Sequence, residues 1–139
     1  MSSVDENKTR VRDFYTAMDR QDIDAVSKFV TSNYRMRFSG SPELDFTAAQ
    51  DMMGMFFAAL PDIRHEILDL FGEGDRVAVR LRVVATHQGE LMGVPATGKQ
   101  VDFESSNVFR FEGDKIEDQW LTADMLTMLK QIGAVPSPG

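Results

Sequence analysis

The sequence predicts an α+β domain: a strongly curved antiparallel sheet, with three to four helices packed on it, that forms a cone around an apolar cavity. The spacing of apolar residues changes at Pro61 from a helical period to strict alternation. The alternating segments are long, and strands of about ten or more residues twist and curl. Short connections containing Gly-Asp join them as hairpins. Helices followed by antiparallel hairpins are typical of an α+β fold with the helices on one face of the sheet.

Two helices and a short strand are expected at the start of the chain. Residues 4–19 and residues 22–30 each repeat apolar side chains at helical spacing, which gives each helix one apolar face. Tyr15 lies on the apolar face of the first helix. Residues 34–40 then alternate and predict a short strand, which Gly40 ends.

Two further helices are marked by their caps. Residues 46–60 predict a third helix, for which Asp45 or Thr47 is the N-cap. Its apolar side chains cover more than one stripe, so we expect burial on two sides of this helix; they are Met52, Met53, Met55, Phe56, Phe57 and Leu60. Asp124 caps a last short helix, which Gly133 ends.

Four strands follow Pro61, at residues 63–71, 76–87, 101–111 and 115–122. In the second, the odd positions are apolar and His87 shares their face. In the third, Ser105 and Asn107 lie among phenylalanines on the odd face. In the fourth, regular alternation places Glu117, Gln119 and Leu121 on one face and Ile116, Asp118, Trp120 and Thr122 on the other. A bulge would exchange these faces beyond it.

Composition excludes several classes of protein. The chain has 139 residues, of which 42% are apolar and 27% charged, and we expect one soluble domain over residues 1–139 with a frayed tail at 134–139. The net charge of −7 argues against nucleic acid and anionic membranes as partners. The chain lacks cysteine, which fits the cytoplasm. No stretch approaches the about 18 consecutive apolar residues of a membrane helix.

Three segments carry a family resemblance: "ATHQGELMGVPATGK", "FEGDKIEDQW" and "DMLTMLKQIGAVP". Together with the N-terminal helices they resemble the SnoaL-like polyketide cyclases, often labelled ester cyclases, of the nuclear transport factor 2-like superfamily. The resemblance covers residues about 8–136. It implies a cone-shaped α+β barrel, a homodimer packed through the sheet, and a deep hydrophobic pocket for a small hydrophobic molecule, with neither metal nor cofactor.

The family also implies a chemistry and a departure from it. Characterised members close a ring of a polyketide ester by intramolecular aldol condensation, with an aspartate on the final strand as base. A carboxylate in an apolar cavity has a raised pKa that suits this role. In this chain the resemblance places Leu121 at that position, and Ser105 and Asn107 at the family's pocket glutamine and histidine. The helix-one tyrosine of the family matches Tyr15.

Two residues remain as catalytic candidates, His87 and Asp124. His87 is expected at the cavity mouth, where an imidazole with an unperturbed pKa of about 6.5 suits proton transfer. The alternative is that His87 ties down the loop 89–98 through a backbone bond. Asp124 could replace the missing aspartate, or act only as a helix cap. His65 is expected on the outer face of the sheet.

The candidate substrate contacts combine polar and apolar side chains of the helices and the strands; they are Tyr15, Met52, Phe56, Ser105, Asn107, Gln119, Trp120 and Leu121. For Trp120, core packing or a dimer interface competes with a place in the pocket wall. Asp118 and Glu104 are expected outside the cone, in cross-strand ion pairs with arginines.

The sequence therefore indicates an enzyme that acts on a small hydrophobic carbonyl or polyketide-type substrate by cofactor-free acid–base chemistry, either aldol cyclisation or isomerisation. One alternative is a non-catalytic, small-ligand-binding or accessory dimer of the same fold, which Leu121 favours. Another is an epoxide hydrolase or a ketosteroid-isomerase-like enzyme, whose chemistry needs a buried carboxylate.

Overall fold

The computed structural model describes residues 3–136, in which four helices pack on one five-stranded sheet. The helices are α1 (Val4–Asp19), α2 (Ile23–Ser27), α3 (Phe46–Ala59) and α4 (Met125–Gln131). The strands are β1 (Val30–Phe38), β2 (Arg64–Glu73), β3 (Arg76–Thr86), β4 (Gln100–Glu112) and β5 (Lys115–Ala123). The predicted α+β class is confirmed. Of the tail predicted at 134–139, residues 137–139 lie outside the described residues.

The sheet is mixed, with the order β1-β5-β4-β3-β2. All neighbours are antiparallel except β1 and β5, which run parallel. The predicted second helix, 22–30, is too long, because α2 ends at Ser27 and the chain becomes a strand at Val30. The carbonyl of Phe29 accepts a hydrogen bond from the backbone N–H of Ile116, at 2.8 Å. Sheet pairing thus takes over from the helical pattern at this point.

The β2–β3 and β4–β5 hairpins have two-residue Gly-Asp loops. Gly74 and Gly113 adopt φ values of +59° and +63°, the left-handed region that the first residue of a type II′ turn requires. Between the hairpins, β3 and β4 pair without a register shift. Their inner faces are buried, as the alternation predicts.

A β-bulge in β5 changes which side chains face inward. Arg110 is paired with Asp118, whereas the next residue, Phe111, is paired with Ile116, so Glu117 is an extra residue. Ile116 is fully buried on the inner face that also carries Gln119, so the regular alternation predicted for this strand is wrong at Ile116. Glu117 and Asp118 both face outward, where each carboxylate pairs with the Arg110 guanidinium.

Helix α3 packs next to β1 of the curved sheet. Asp45, one of the two predicted caps, accepts a hydrogen bond from the N–H of Ala48 at 2.9 Å. Met53 and Phe57 are buried against the core. Burial on two sides does not extend to Met55, which is 53% exposed, because it lies on the solvent side of the helix.

The outer face of the sheet carries cross-strand ion pairs. Arg80 contacts Glu104 at 2.6 Å, and Arg110 contacts Asp118 at 2.7 Å, as expected for these two carboxylates. Within residues 3–136, no helix is long and apolar enough to cross a membrane.

Candidate functional site

An apolar cavity of about 110 Å³ lies between α3, the inner face of the sheet and the start of α4. We call it the apolar cavity. Its walls are mainly methionine and phenylalanine side chains, including Met52 and Phe56 of α3. Of the side chains within residues 3–136 that line it, only two, those of His65 and Ser105, carry nitrogen or oxygen atoms. The apolar cavity therefore offers a hydrophobic ligand two points of polar contact.

The His65 ring is hydrogen-bonded to the carboxylate of Asp19, the last residue of α1. The distance from His65 Nδ1 to Asp19 Oδ1 is 2.7 Å, and the His65 backbone N–H contacts both carboxylate oxygens at 3.2 and 3.3 Å. An ionised carboxylate only accepts, so Nδ1 carries the hydrogen and the lone pair of the neutral ring lies on Nε2. Among residues 3–136 no group hydrogen-bonds to this Nε2. This pairing is the geometry of an oriented base.

The expectation that His65 faces outward is wrong. His65 is paired with Val83 of β3, and residues directly opposite each other in a sheet share a face. Val83 belongs to the buried face and lines the apolar cavity with His65. The alternation of Ile63, His65 and Ile67 with charged residues was the signal in the sequence for this placement.

Tyr15 packs against His65, with 5.2 Å between the ring centres. Its hydroxyl is buried and has no hydrogen-bond partner in the described part of the chain. Burial, followed by the negative charges that Tyr34 and Asp19 can carry, raises the pKa of Tyr15 well above its usual value. The phenol therefore stays protonated and remains a donor beside the imidazole.

Ser105 is the end of a buried hydrogen-bond chain. The Tyr34 hydroxyl donates to Gln119 Oε1 at 2.5 Å, Gln119 Nε2 donates to Asn107 Oδ1 at 2.9 Å, and Asn107 Nδ2 donates to Ser105 Oγ at 3.1 Å. Asn107 and Gln119, both expected to contact substrate, lie behind Ser105 and are not among the side chains that line the apolar cavity.

The remaining candidate contacts separate into two groups. Met52, Phe56 and Leu121 line the apolar cavity. Trp120 lies on the outer face, between the guanidinium groups of Arg37 and Arg76, which are 5.2 and 5.1 Å from its ring centre. These are cation–π distances, so the structure places Trp120 away from the apolar cavity.

His87 is fully buried and does not line the apolar cavity. Its backbone N–H donates to the carbonyl of Lys99, and its carbonyl accepts from the N–H of Gly98, both at 2.8 Å. The N–H of Thr97 donates to His87 Nδ1 at 3.3 Å, and the Thr97 hydroxyl lies 2.9 Å from the same atom. These contacts tie the two ends of the glycine-containing loop together.

Asp124 caps α4 and borders a separate surface groove. Its carboxylate accepts from the backbone N–H of Thr127 at 3.1 Å and from the Thr127 hydroxyl at 2.6 Å. These two hydrogen bonds hold the pKa of Asp124 below its usual value. Both catalytic candidates of the sequence therefore lie outside the apolar cavity.

Within the part of the chain that the structure describes, no three His, Cys, Asp or Glu side chains form a group that could hold a metal ion.

The four helices and the curved mixed sheet define a class, an α+β domain of the nuclear transport factor 2-like fold. The sequence match gives the family. The SnoaL-like polyketide cyclase family matches residues 9–132, and the chain belongs to this family.

Solved structures from several bacteria are similar to the chain. AclR from Streptomyces galilaeus, whose assignment as a hydroxylase is provisional, is 29% identical with a TM-score of 0.92, over 99% of this chain and 87% of AclR. A SnoaL-like polyketide cyclase from Agrobacterium tumefaciens is 26% identical with a TM-score of 0.76, over 96% and 100% of the two chains. TsrD from Streptomyces laurentii, 18% identical with a TM-score of 0.86 over 97% and 100%, shows the fold alone. No curated protein matches the chain.

Proposed function

We propose that the protein is an enzyme that moves a proton at the carbon next to a carbonyl group of a small, hydrophobic, polyketide-type substrate, without a cofactor. The observation that carries the proposal is the His65–Asp19 pair at the wall of the apolar cavity, with 2.7 Å between Nδ1 and Oδ1. Family membership supports the substrate class. The reaction is an aldol cyclisation or an isomerisation.

His65 and Asp19 have different roles in the proposed reaction. His65 Nε2 takes a proton from the substrate carbon, and the C–H electron pair becomes the C=C bond of an enolate whose negative charge lies on oxygen. Asp19 stabilises the imidazolium that forms and fixes its ring. In the cyclisation, the enolate carbon attacks a second carbonyl carbon of the same molecule, and the imidazolium returns its proton to the new alkoxide. Holding both carbonyls in one cavity supplies the proximity that this step needs.

Leu121 supports a catalytic base at a different position from the aspartate that the family resemblance implies. The resemblance implies an aspartate here, and Leu121 lines the same apolar cavity as His65. An aliphatic side chain cannot accept a proton, so the proposal assigns proton removal to a histidine on β2 in place of a carboxylate on β5. His87 and Asp124 are replaced as proposed bases because neither lines the apolar cavity.

The test uses acetophenone, a small aromatic ketone with exchangeable hydrogens next to its carbonyl. In D₂O, we expect the protein to speed the loss of the methyl proton NMR signal, and His65→Gln to slow this exchange about 100-fold or more. Asp19→Asn should also slow it, because a neutral amide does not stabilise an imidazolium as a carboxylate does. Asp124→Asn is the matched control, since asparagine keeps the helix cap and exchange should continue.

Two outcomes contradict the proposal. Exchange in His65→Gln at the rate of the unaltered protein would remove His65 from the role of base. Acetophenone that binds, as seen by ligand NMR line broadening, but does not exchange faster than in buffer would favour the non-catalytic ligand-binding alternative.

A further inference from the structure

We propose that the Ser105 hydroxyl donates a hydrogen bond to the carbonyl oxygen of the bound substrate, and that Tyr34, Gln119 and Asn107 are positioning residues that fix the direction of that bond. This inference rests on the proposed function, because the enolate oxygen is the charge that Ser105 would stabilise. It adds a second polar group, on β4, to the base on β2.

The direction of the chain is set at its buried end. Tyr34 is 1% exposed, and burial raises the pKa of its phenol, so Tyr34 is a donor to Gln119 Oε1. With its carbonyl oxygen occupied, Gln119 directs its amide N–H at Asn107 Oδ1. Asn107 in turn directs its own amide N–H at Ser105 Oγ. Each amide thus accepts on one side and donates on the other.

Ser105 is left with an uncommitted proton. Its oxygen already accepts from Asn107, and no group among residues 3–136 accepts a hydrogen bond from it. Ser105 is buried and lines the apolar cavity, so the free O–H has only the cavity to point into. A buried hydroxyl gains free energy when a ligand supplies the missing acceptor.

The arrangement specifies the ligand. The substrate must carry an acceptor oxygen that reaches Ser105 and a C–H that reaches His65, on a body that is otherwise apolar. A ketone or ester carbonyl meets both conditions. The hydrogen bond strengthens as charge develops on the oxygen, which is the requirement for a group that lowers the barrier to enolate formation.

The experiment measures the infrared C=O stretch of acetophenone labelled with ¹³C at the carbonyl and bound to the protein. A hydrogen bond from Ser105 lowers this frequency. We expect Ser105→Ala to raise it and to slow methyl-hydrogen exchange about 100-fold. Ser106→Ala, which removes the same hydroxyl from the exposed face of the same strand, is the matched control and should leave both unchanged.

Asn107→Asp tests the positioning role separately. A carboxylate accepts but does not donate, so it would draw the Ser105 proton toward itself while keeping the shape of the side chain. We expect the C=O frequency to rise to that of Ser105→Ala although the serine is present. Tyr34→Phe, which removes the donor at the start of the chain, should raise the frequency part of the way. It provides a second variant if Asn107→Asp does not fold.

The outcomes separate this inference from the proposed function. A frequency that Ser105→Ala does not move overturns the donor role of Ser105, while dependence of exchange on His65 would leave the base in place. A frequency that moves with Ser105→Ala but not with Asn107→Asp or Tyr34→Phe overturns the positioning role. Exchange that does not depend on His65, with the frequency still dependent on Ser105, overturns the proposed function alone.

Discussion

At the scale of single residues, a few polar groups at or beside the apolar cavity have hydrogen-bonding capacity that no protein group within residues 3–136 uses. His65 Nε2, the Ser105 proton and the buried Tyr15 hydroxyl have no protein partner in residues 3–136. An unsatisfied buried polar group costs about 1–3 kcal/mol. The buried Tyr15 hydroxyl carries this cost, whereas the Ser105 hydroxyl, at the wall of the apolar cavity, can gain its missing acceptor from a bound ligand.

Tyr15→Phe tests the role of the buried hydroxyl beside His65; Tyr15, expected from the sequence to contact substrate, is not among the side chains that line the apolar cavity. Since the hydroxyl has no partner within residues 3–136, its removal should leave the free energy of unfolding unchanged or raise it by up to about 1 kcal/mol. Urea denaturation measures this change. The same variant should slow acetophenone exchange, because it removes a donor beside His65. A loss of stability of more than about 1 kcal/mol would mean that the hydroxyl has a partner in the folded protein.

Alternation along β4 predicted that Ser105 and Asn107 share the face of the buried phenylalanines, whereas the bulge in β5 left the facing of Gln119 open. Alternation could not predict which of them reaches the cavity, because that depends on Tyr34, 85 residues from Gln119 in the chain. The His65–Asp19 pair joins residues 46 apart. The inward position of His65 was readable from its isoleucine neighbours, but no local pattern indicates that α1 ends beside it.

At the scale of elements, α3 is held at its end by the loop that follows β3. The backbone N–H groups of Gln88 and Gly89 both donate to the carbonyl of Ala59, at 3.0 and 3.1 Å. A Cβ on Gly89 would lie 2.6 Å from the carbonyl oxygen of Ala58 and 3.1 Å from the Cα of Ala59. Only glycine allows this approach, and α3 supplies part of the cavity wall.

Gly89→Ala should therefore lower the free energy of unfolding by about 1–3 kcal/mol, since the contacted atoms are backbone and cannot rotate away. It should also weaken acetophenone binding, because the end of α3 must shift. Thermal unfolding and ligand titration measure the two effects. Gly54→Ala is the control within α3: its Cβ meets nothing within 4 Å, and alanine should stabilise the helix by about 0.5–1 kcal/mol. Equal effects at the two glycines would refute the close-approach argument.

The helix caps were predictable because a cap is a local signal. Asp45 and Asp124 both accept from the N–H three residues ahead. The boundary between α2 and β1 was not, because it depends on pairing with β5, a segment 86 residues further along at the Val30–Ile116 pair. Long-range pairing overrode the local helical pattern there.

At the scale of the whole molecule, the outer face of the sheet carries a network of carboxylates and guanidinium groups. Asp118 contacts Arg37 and Arg110, both at 2.7 Å. Burial alone would raise the pKa of Asp118, but the hydrogen bonds and charges of Arg37 and Arg110 outweigh it and hold the pKa below its usual value. The unfolded chain therefore binds a proton at Asp118 more readily than the folded chain does.

Asp118 makes the stability of the folded protein depend on pH. A lowered folded-state pKa contributes stability above the unfolded value of about 3.9, and that contribution is lost as the pH falls through the folded value. Asp118→Asn should thus lower the free energy of unfolding by about 2 kcal/mol at neutral pH, and this difference should shrink on acidification below about pH 4. Urea titrations of both proteins across this range measure it. A difference that stays constant with pH would show that the charge of Asp118 is not its source.

The extra residue in β5 governs how related chains can be compared. Beyond Glu117, every side chain of β5 lies on the face opposite to the one that regular alternation from the hairpin would give it. Counting positions from the hairpin therefore identifies equivalent residues only in chains that have the same β-bulge. In a homologue without it, the residue that corresponds by number to Leu121 would face the bulk solvent. Anyone who reconstructs an ancestral sequence, or places a catalytic side chain on this strand by design, must therefore align the strands by their hydrogen-bonding register and not by sequence position alone.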